Sequence, residues 1–497
     1  MSIATMIQET AKICSERVAL VDGSEVLTFA ALSEKMDLWH RFLDDLEVEV
    51  GDRVALILGN TSNLVAIHGG NLLCGRISVP MNPRQTVDEF ERLFVDARPT
   101  LVITCRESKD RVQEALGRAK LECHMLEEHL IRSSFSGARR SPIAQPVTIT
   151  ADMPAMIVYT SGTTGNPKGA VLSQGNLAAA ARSLHQAWEF SPQDHLLLTL
   201  PLFHVHGLGI GIHGMLTSGF RVTLEKSFQA EEALERLQAP ASKFTMFFGV
   251  PTYFHRFLKS NSNEASLAHL RLCVSGSAPL SPATHQEIEE QFGIRILERY
   301  GMSETLMNIS NSLRGARHAG FVGQPLPGVH VRIVDDQGKI VADGQEGEIH
   351  LRGENVFTGY WQNSEATAMA FQDGWFKSGD LGRLDVERQS FQITGRVKEL
   401  IISGGYNIHP QEIENVLHTY DEIEDLAVAG TPDEEFGELV TAFVVAKNSP
   451  ITLDVLRNHC QDKLSAYKIP RRLVLVDKIP RNALGKVQRT LLGTRTS

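Results

Sequence analysis

Apolar positions along the chain alternate between short continuous runs and longer amphipathic stretches. Between the short runs, apolar residues recur at helical spacing, as in Ser281–Phe292, which opens with a Ser-Pro pair typical of a helix N-terminus. Strands that alternate with helices in this way predict an α/β protein with mainly parallel, doubly wound sheets. The runs that predict buried strands are Arg53–Leu58, Leu101–Thr104, Met156–Tyr159, Phe244–Phe248 and Leu272–Ser275.

The pattern changes twice in the second half of the chain. Between Gly320 and Gly359, short alternating strands at Val329–Val334 and Gly347–Arg352 are separated by Asp- and Gly-containing turns, which predicts antiparallel hairpins or a small β-barrel-like part. After Gly395-Arg-Val-Lys-Glu399, about a hundred residues follow with an α/β pattern of their own. Its predicted elements are a helix at Glu412–His418, strands at Ile423–Ala429 and Leu439–Ala446, and a helix at Leu453–Leu464.

These changes predict two domains. We assign residues 1–397 to a large N-terminal domain and residues 398–497 to a small, mobile C-terminal domain, with a hinge near Lys398. The Ser-, Arg- and Pro-rich stretch Ser133–Pro146 predicts an exposed loop within the large domain.

The composition narrows the classes of function. With 497 residues, of which 42% are hydrophobic and 22% charged, the chain can bury a large core without metal or disulfide support. The net charge of -10 argues against nucleic acid or an anionic membrane as the main partner, although a local basic cluster can still bind an anionic substrate. The six cysteines are widely spaced and form no Cys-x-x-Cys pair, which favours reduced, structural thiols.

Targeting and membrane signals are not visible in the sequence. No apolar run approaches the length needed to span a bilayer, and the N-terminus lacks a basic segment followed by an apolar core. We therefore expect a soluble cytoplasmic enzyme with no membrane span. A short organelle address and the oligomeric state stay open.

The segment Tyr159-Thr-Ser-Gly-Thr-Thr-Gly-Asn-Pro-Lys-Gly169 follows a predicted strand and combines glycines, hydroxyls and one lysine. Glycines let backbone N–H groups turn inward, hydroxyls add donors and a lysine adds charge, which suits a polyphosphate. Its lysine lies between Pro and Gly, unlike that of a Walker A loop. A flexible linker is the alternative interpretation. The residues predicted to bind nucleotide here are Thr160, Ser161, Gly162, Thr163, Thr164, Gly165 and Lys168.

This signature resembles that of the adenylate-forming enzymes, which include acyl-CoA synthetases, peptide-synthetase adenylation domains and firefly luciferase. The resemblance covers about residues 20–490, with every further motif in order. It implies ATP, Mg²⁺ and coenzyme A as cofactor and co-substrates. It also implies a two-step reaction, in which a carboxylic acid is activated as an acyl-adenylate and then transferred to the coenzyme A thiol.

Tyr300-Gly-Met-Ser-Glu-Thr305 resembles the second signature of the family. The resemblance implies that Glu304, together with Thr163, holds Mg²⁺ against the ATP phosphates, and that Tyr300 lies near the adenine. Taken alone, Ser303-Glu304 could equally begin a helix. Ser275-Gly-Ser-Ala-Pro279 resembles a segment that lines the adenine and acyl pocket. The further residues implied to contact the nucleotide are Ser277, Ala278, Pro279, Glu298, Gly301, Met302 and Ser303.

Three later motifs complete the resemblance. Asp380, in Trp375-Phe-Lys-Ser-Gly-Asp-Leu-Gly382, is implied to bind the ribose hydroxyls, and Arg396 the ribose or phosphate. Alone, Asp380 could be a turn residue. Lys486, in Pro480-Arg-Asn-Ala-Leu-Gly-Lys486, is implied to stabilise charge as the adenylate forms. The glycine-containing loop implied to line the coenzyme A tunnel consists of Ser403, Gly404, Gly405 and Tyr406.

Two features bear on the acid and on the thiol step. His204, in Pro201-Leu-Phe-His-Val-His-Gly207, is a candidate gate or proton acceptor for the thiol and equally a packed structural histidine; we assign His206 no catalytic role. Arg299 is expected to face the acyl pocket, where an arginine suggests a second anionic group on the acid, and Arg256 is a second candidate.

The same segments are similar to those of malonyl-CoA synthetases, which implies malonate as the acid, with methylmalonate as a further candidate. Alternatively, Arg299 pairs with a protein carboxylate such as Glu298, and the chain is a medium-chain or aromatic acyl-CoA synthetase or an enzyme that loads a carrier protein. A catalytically inactive nucleotide-binding regulator is disfavoured, because the charged motif residues are intact.

Overall fold

The computed structural model describes residues 1–130, 147–160, 167–239, 243–260, 266–447, 451–461, 463–482 and 485–492. In chain order the strands are β1 (Val18–Asp22), β2 (Glu25–Thr28), β3 (Arg53–Ile57), β4 (Ile77–Pro80), β5 (Leu101–Thr104), β6 (His124–Glu127), β7 (Pro154–Thr160), β8 (Lys168–Ser173), β9 (His195–Leu198), β10 (Arg221–Leu224), β11 (Met246–Gly249), β12 (Leu272–Ser275), β13 (Leu297–Tyr300), β14 (Ile309–Ser310), β15 (Gln324–Pro325), β16 (Val329–Val334), β17 (Gly347–Gly353), β18 (Gly359–Tyr360), β19 (Phe371–Gln372), β20 (Trp375–Asp385), β21 (Ser390–Arg396), β22 (Ile401–Ser403), β23 (Tyr406–Ile408), β24 (Ile423–Asp433), β25 (Gly437–Ala446) and β26 (Arg472–Leu475).

The helices follow the strands as the alternating pattern predicts. In chain order they are α1 (Ile3–Ile13), α2 (Phe29–Asp45), α3 (Ser62–Cys74), α4 (Val87–Ala97), α5 (Lys109–Ala119), α6 (Gln174–Trp188), α7 (His213–Ser218), α8 (Ala230–Gln238), α9 (Pro251–Lys259), α10 (Pro282–Phe292), α11 (Ser364–Ala370), α12 (Pro410–Leu417) and α13 (Leu453–Cys460).

Two mainly parallel sheets form the body of the large part of the chain. The first has the order β15-β14-β13-β12-β11-β9-β10-β1-β2, and the second has the order β18-β8-β7-β4-β3-β5-β6. One apolar core includes side chains of both sheets, with Trp39 and Trp188 fully buried within it. The predicted α/β class is confirmed, and the carboxyl ends of β12 and β13 bring Ser275 and Tyr300 to one edge of the first sheet.

The third sheet corrects one expectation. Its strands pair antiparallel in the order β16-β17-β20-β19, with β21 also on β20, so the predicted hairpins are present. The expected barrel-like closure is wrong: β19 and β21 both pair with β20, and among the described strands neither pairs with β16. The sheet therefore stays open.

The C-terminal part of the chain forms its own sheet, β23-β22-β25-β24 with β26 parallel to β25. Its apolar core includes Ile413, Val440 and Leu456. The predicted helix from Leu453 to Leu464 ends earlier, at Cys460. The proposed division at residues 397 and 398 stays a prediction. The predicted loop at Ser133–Pro146 lies wholly outside the described residues. Among the described helices none is long and apolar enough to cross a bilayer.

Candidate active site

The turn after β13 brings Glu304 into the interior. A Cβ at Gly301 would lie 2.0 Å from the backbone oxygen of Leu306, so only glycine permits this close turn. Asn355 stabilises the turn, because its amide donates hydrogen bonds to the backbone oxygens of Thr305 (2.8 Å) and Met307 (3.1 Å). No helix begins at residue 303. The alternative interpretation of Ser303-Glu304 as a helix start is therefore wrong.

Asp380 is the centre of a buried polar cluster. It is 3% exposed, and it lies directly opposite Arg396 in the pairing of β20 with β21. Tyr300 donates its hydroxyl hydrogen to Asp380 Oδ2 (2.7 Å), and Arg396 Nε lies 2.8 Å from Asp380 Oδ1. Three predicted nucleotide-binding residues from distant motifs therefore meet at one point. Asp380 is held by its partners and is more than a turn residue.

Lys486 reaches the same cluster from the C-terminal part. Its backbone N–H donates to Asn482 Oδ1 (3.0 Å), and a Cβ on the preceding Gly485 would lie 2.7 Å from Thr252 of α9. Burial lowers the pKa of Lys486, and the positive charge of Arg396 lowers it further. The lysine is therefore a desolvated cation beside Asp380 and Arg396, a place where it can stabilise developing negative charge.

Glu304 offers an oxygen ligand on the other side of the site. It is 7% exposed, Tyr360 donates a hydrogen bond to its Oε1 (3.1 Å), and Lys168 Nζ lies 5.2 Å from the centre of the Tyr360 ring. Burial raises the pKa of the Glu304 carboxyl. A hard cation accepts one carboxylate together with phosphate oxygens, so this buried carboxylate fits Mg²⁺. The described residues contain no cluster of three or more His, Cys, Asp or Glu side chains that could hold a metal alone.

The phosphate loop connects β7 with β8, which pair antiparallel so that Thr160 lies opposite Lys168. Ser161, Gly162, Thr163, Thr164 and Gly165 lie outside the described residues, as does the side chain of Thr160. The part of Thr163 in metal binding therefore stays a prediction. Tyr360 is a residue that sequence reasoning missed: it lies in β18, which pairs with β8, and the local sequence gives no signal of that pairing.

Arg299 is a buried cation that pairs with no carboxylate among the described residues. It is 6% exposed, and its Nε and NH2 atoms have no hydrogen-bond partner among the described residues. Burial lowers its pKa to about 9. A Cβ at Gly276 would lie 2.3 Å from Arg299 Cζ, so glycine makes room for the guanidinium. The alternative pairing with Glu298 is wrong, because that carboxylate bonds to His285 Nδ1 (2.9 Å) and accepts from the Gly320 N–H (2.9 Å).

Two histidines lie near this guanidinium. Burial, followed by the Arg299 charge, lowers the pKa of His204 to about 4 and that of His206 well below its usual value, so both rings are neutral at physiological pH. His206 Nδ1 lies 3.3 Å from Ser277 Oγ, and Ser277 has a left-handed backbone (φ 71°). His206 Nε2 and His204 Nδ1 have no partner among the described atoms. Sequence reasoning left His206 unassigned, yet the structure places it beside Ser277.

Other predicted residues lie around this site with fewer contacts. Ala278 is half-buried and Pro279 is exposed in the loop after β12, while the Met302 sulfur lies 3.9 Å from the Tyr300 hydroxyl. Ser303 is half-buried in the turn before Glu304. Arg256 lies on α9, as expected, but on its exposed side, because Phe254 and Phe257 occupy the buried side. No described contact brings Arg256 to Arg299.

The predicted tunnel loop is a tight hairpin between β22 and β23. Gly404 (φ 57°) and Gly405 (φ 83°) form its two-residue turn, where paired positive φ values favour glycine. Ser403 is buried, and Tyr406 is exposed and stacks on Tyr467 with ring centres 4.4 Å apart. No described contact links this hairpin to Asp380. Lys398 is exposed in a short 3₁₀ turn, Val397–Glu399, between the third sheet and β22.

Comparison with known proteins agrees with this arrangement. The family model described as AMP-binding enzyme matches residues 7–361, and the one described as AMP-binding enzyme C-terminal domain matches residues 412–486. The chain is 32% identical to the oxalate–CoA ligase of Arabidopsis thaliana, over 99% of this chain and 98% of that protein. It is 34% identical to the sulfoacetate–CoA ligase of Cupriavidus necator, over 95% of this chain and 93% of that protein.

A further relative is the mitochondrial malonate–CoA ligase of Mus musculus, 33% identical over 95% of this chain and 88% of that protein. Among solved structures, ATP-bound MatB from Rhodopseudomonas palustris is similar with a TM-score of 0.91, at 33% identity and 99% coverage of both chains. Because one relative is named as mitochondrial, the cytoplasmic location stays a prediction.

Two family models that together match most of the chain place it in a class: the chain belongs to the family of AMP-binding, adenylate-forming enzymes. Within this class it is an ATP-dependent acid–CoA ligase of the AMP-forming type, which uses ATP, Mg²⁺ and coenzyme A. The three relatives are named for different acids, yet their identities to this chain are nearly equal, at 32%, 34% and 33%. Sequence identity alone therefore does not select the acid.

Proposed function

We propose that this ligase converts malonate, with methylmalonate as a further candidate substrate, to its coenzyme A thioester through an acyl-adenylate. The carboxylate oxygen attacks the α-phosphorus of ATP, and the bond to pyrophosphate breaks. The coenzyme A thiol, which loses its proton, then attacks the acyl carbon, and AMP leaves. The observation that carries the choice of acid is Arg299, a buried guanidinium whose Nε and NH2 lack protein partners among the described residues.

In this proposal the acid's second anionic group binds Arg299. An unpaired buried cation is unfavourable, and a carboxylate bound beside it supplies both the charge and the hydrogen-bond acceptors that it lacks. His206 supports the same assignment. If the Ser277 hydroxyl donates to His206 Nδ1, the neutral ring carries its proton on Nε2 and can donate to the same anion. The acids named for three relatives, oxalate, sulfoacetate and malonate, all carry a second anionic group. Arg256 stays a proposed second contact for the acid.

The nucleotide half of the site follows from the Asp380 cluster. We assign the ribose hydroxyls to Asp380 and Arg396, and the adenine to Tyr300 and its neighbouring residues. Lys168 and the phosphate loop bind the phosphates. Glu304 would hold Mg²⁺, which would supply positive charge to the phosphates when bound. Lys486 stabilises the charge that develops on the oxygens around phosphorus. These groups position and stabilise, and no covalent enzyme intermediate is needed.

The thiol half is assigned to the hairpin from Ser403 to Tyr406. This hairpin and Lys486 belong to the same C-terminal part, residues 398–497, yet here only Lys486 interacts with the Asp380 cluster. We therefore infer that this part turns about Lys398 between the two half-reactions. His204, neutral and with an unpartnered Nδ1, is a candidate acceptor for the thiol proton.

The proposal is tested by the rate of AMP formation with ATP, Mg²⁺ and coenzyme A across a panel of acids. The panel contains malonate, methylmalonate, oxalate, sulfoacetate, succinate, acetate, octanoate and a cinnamate. A clear preference for malonate supports the proposal. A preference for oxalate or sulfoacetate keeps the role of Arg299 and changes the acid. A preference for octanoate or cinnamate refutes both the role of Arg299 and the choice of malonate. If no acid gives turnover but pyrophosphate exchange with ATP is present, a carrier protein replaces free coenzyme A as the acceptor.

A further inference from the structure

A histidine–glutamate pair joins the C-terminal part to the third sheet. His409 immediately precedes α12, and its Nε2 lies 2.8 Å from Oε1 of Glu346, which lies in the turn before β17. Gly395 of β21 makes this approach possible, because a Cβ there would lie 2.6 Å from His409 Nδ1. The ring therefore fits into a space that any larger residue at position 395 would fill.

Glu346, the acidic member of the pair, carries a negative charge. Burial raises the pKa of Glu346, but the hydrogen bonds with His409 and Thr394 and the nearby positive charge together outweigh this effect, and the net pKa is lowered. Glu346 is therefore an anion at neutral pH, and its bond to the imidazole is charge-assisted. Such a bond is shorter and stronger than one between neutral groups, so its loss is expected to be measurable.

A chain of contacts connects this pair to Lys486. His409 lies directly before the first residue of α12, and Glu414 on that helix lies 2.6 Å from Arg489 NH2. Arg489 Nε also donates to the backbone oxygen of Val428 (3.0 Å), so the segment that carries Lys486 is tied to the core of the C-terminal part. A displacement of α12 relative to the third sheet is therefore transmitted to Lys486.

We propose that the His409–Glu346 pair positions the C-terminal part for adenylate formation, by holding Lys486 beside Asp380 and Arg396. The inference rests on the proposed function only for the role of Lys486 in that half-reaction. The hairpin from Ser403 to Tyr406, assigned to the thiol half, has no described contact with the Asp380 cluster while the pair is formed. The pair therefore favours the first half-reaction and is not required for the second.

The interface also provides a matched control. Lys259 of α9 lies 3.7 Å from Glu424 of the C-terminal part, and both side chains are about half exposed (49% and 51%). An exposed ion pair at this distance is screened by solvent, so it contributes little to the equilibrium between the two arrangements of the C-terminal part. Lys259→Gln removes a charge at the same interface and should leave both half-reactions unchanged.

The experiment compares Glu346→Gln, His409→Gln, the double variant, Lys259→Gln and Lys486→Ala with the unmodified enzyme. Adenylate formation is measured as pyrophosphate exchange, and thioester formation is measured separately from synthetic acyl-adenylate and coenzyme A. We expect Glu346→Gln and His409→Gln each to slow exchange about 5-fold, the value for loss of one partly exposed, charge-assisted hydrogen bond, and to leave thioester formation unchanged. The double variant should slow exchange no more than either single variant, because the two residues act through each other.

Two results would overturn the inference. One is unchanged exchange in both single variants while Lys486→Ala loses exchange, which removes the positioning role and leaves the proposed function intact. The other is an equal loss in both half-reactions, which indicates a general structural role. Normal exchange in Lys486→Ala would instead contradict the proposed function, so the two failures are distinguishable.

Discussion

Replacement of Arg299 by methionine tests the choice of acid most directly. Burial lowers the Arg299 pKa to about 9, well below the usual value of an arginine. At about 1.4 kcal/mol per pKa unit, this difference is roughly 5 kcal/mol of lost stabilisation of the cation. A bound anion regains only part of it, because the anion loses its own hydration. Truncation of one partner in a buried, hydrogen-bonded charge pair costs about 2–5 kcal/mol, so kcat/KM for malonate should fall between about 30-fold and several thousand-fold.

The assay measures kcat/KM for malonate and for acetate, together with the KM for ATP. Arg299→Met should lower the malonate value, leave the ATP value unchanged and leave or raise the acetate value, because acetate carries no second anionic group. Arg256→Met provides the comparison. Since Arg256 is exposed and screened by water, we expect its effect on malonate to be below about 5-fold.

Thermal unfolding separates a lost substrate contact from a damaged fold. Methionine fills much of the same space without charge, and removal of an unpaired buried cation should leave the Tm of the free enzyme unchanged or raise it. Malonate should raise the Tm of the unmodified enzyme and not that of Arg299→Met. An unchanged kcat/KM for malonate would refute the reasoning. A marked fall in the Tm of the free variant would show that the guanidinium has a structural partner.

Three further predictions concern neighbouring residues. Gly276→Ala places a Cβ 2.3 Å from Arg299 Cζ, so the guanidinium must shift; the KM for malonate should rise at least about 10-fold with the KM for ATP unchanged. Tyr360→Phe removes the hydroxyl that donates to the Glu304 carboxylate, whose pKa burial already raises. The fall of the pyrophosphate-exchange rate on the acidic side should therefore move to higher pH, and a higher Mg²⁺ concentration should be needed for the half-maximal rate. Burial lowers the pKa of Lys486, so exchange should fall on the alkaline side at a pH below that of an ordinary lysine, while Lys486→Arg should lack this limb.

Much of the fold could be predicted because each buried parallel strand corresponds to a short, mainly apolar run in the sequence. Leu101–Thr104 and Leu272–Ser275 have the predicted bounds, since every residue in each run is buried. The Ser281 hydroxyl accepts from the Thr284 N–H (3.1 Å) and begins α10 where the Ser-Pro pair indicated. The expected barrel closure was wrong because closure depends on pairing between distant strands. Local alternation reveals each strand and not its neighbours.

The residues of the candidate site also divide into those that a local motif predicts and those that it does not. Residues within continuous motifs, such as Asp380, Glu304 and Lys486, could be identified from their motifs, and the structure brings all three to one region. Tyr360 and His206 were missed because their partners are remote: Tyr360 bonds to a residue 56 positions away, and His206 to one 71 positions away. Neither residue carries a local pattern that distinguishes it from a core aromatic ring.

That Nε and NH2 of Arg299 lack a hydrogen-bond partner among the described residues could not be predicted from sequence, and the proposed choice of acid rests on this observation. The neighbouring Glu298 is the natural partner by proximity along the chain, but successive residues of a strand point to opposite faces, so it meets His285 instead. The guanidinium is thus buried on the other face, in the space that Gly276 leaves open. A protein retains an unfavourable buried charge of this kind when a ligand compensates for it. In the proposed function, the compensating ligand is an acid whose second negative charge is separate from the carboxylate activated at phosphorus.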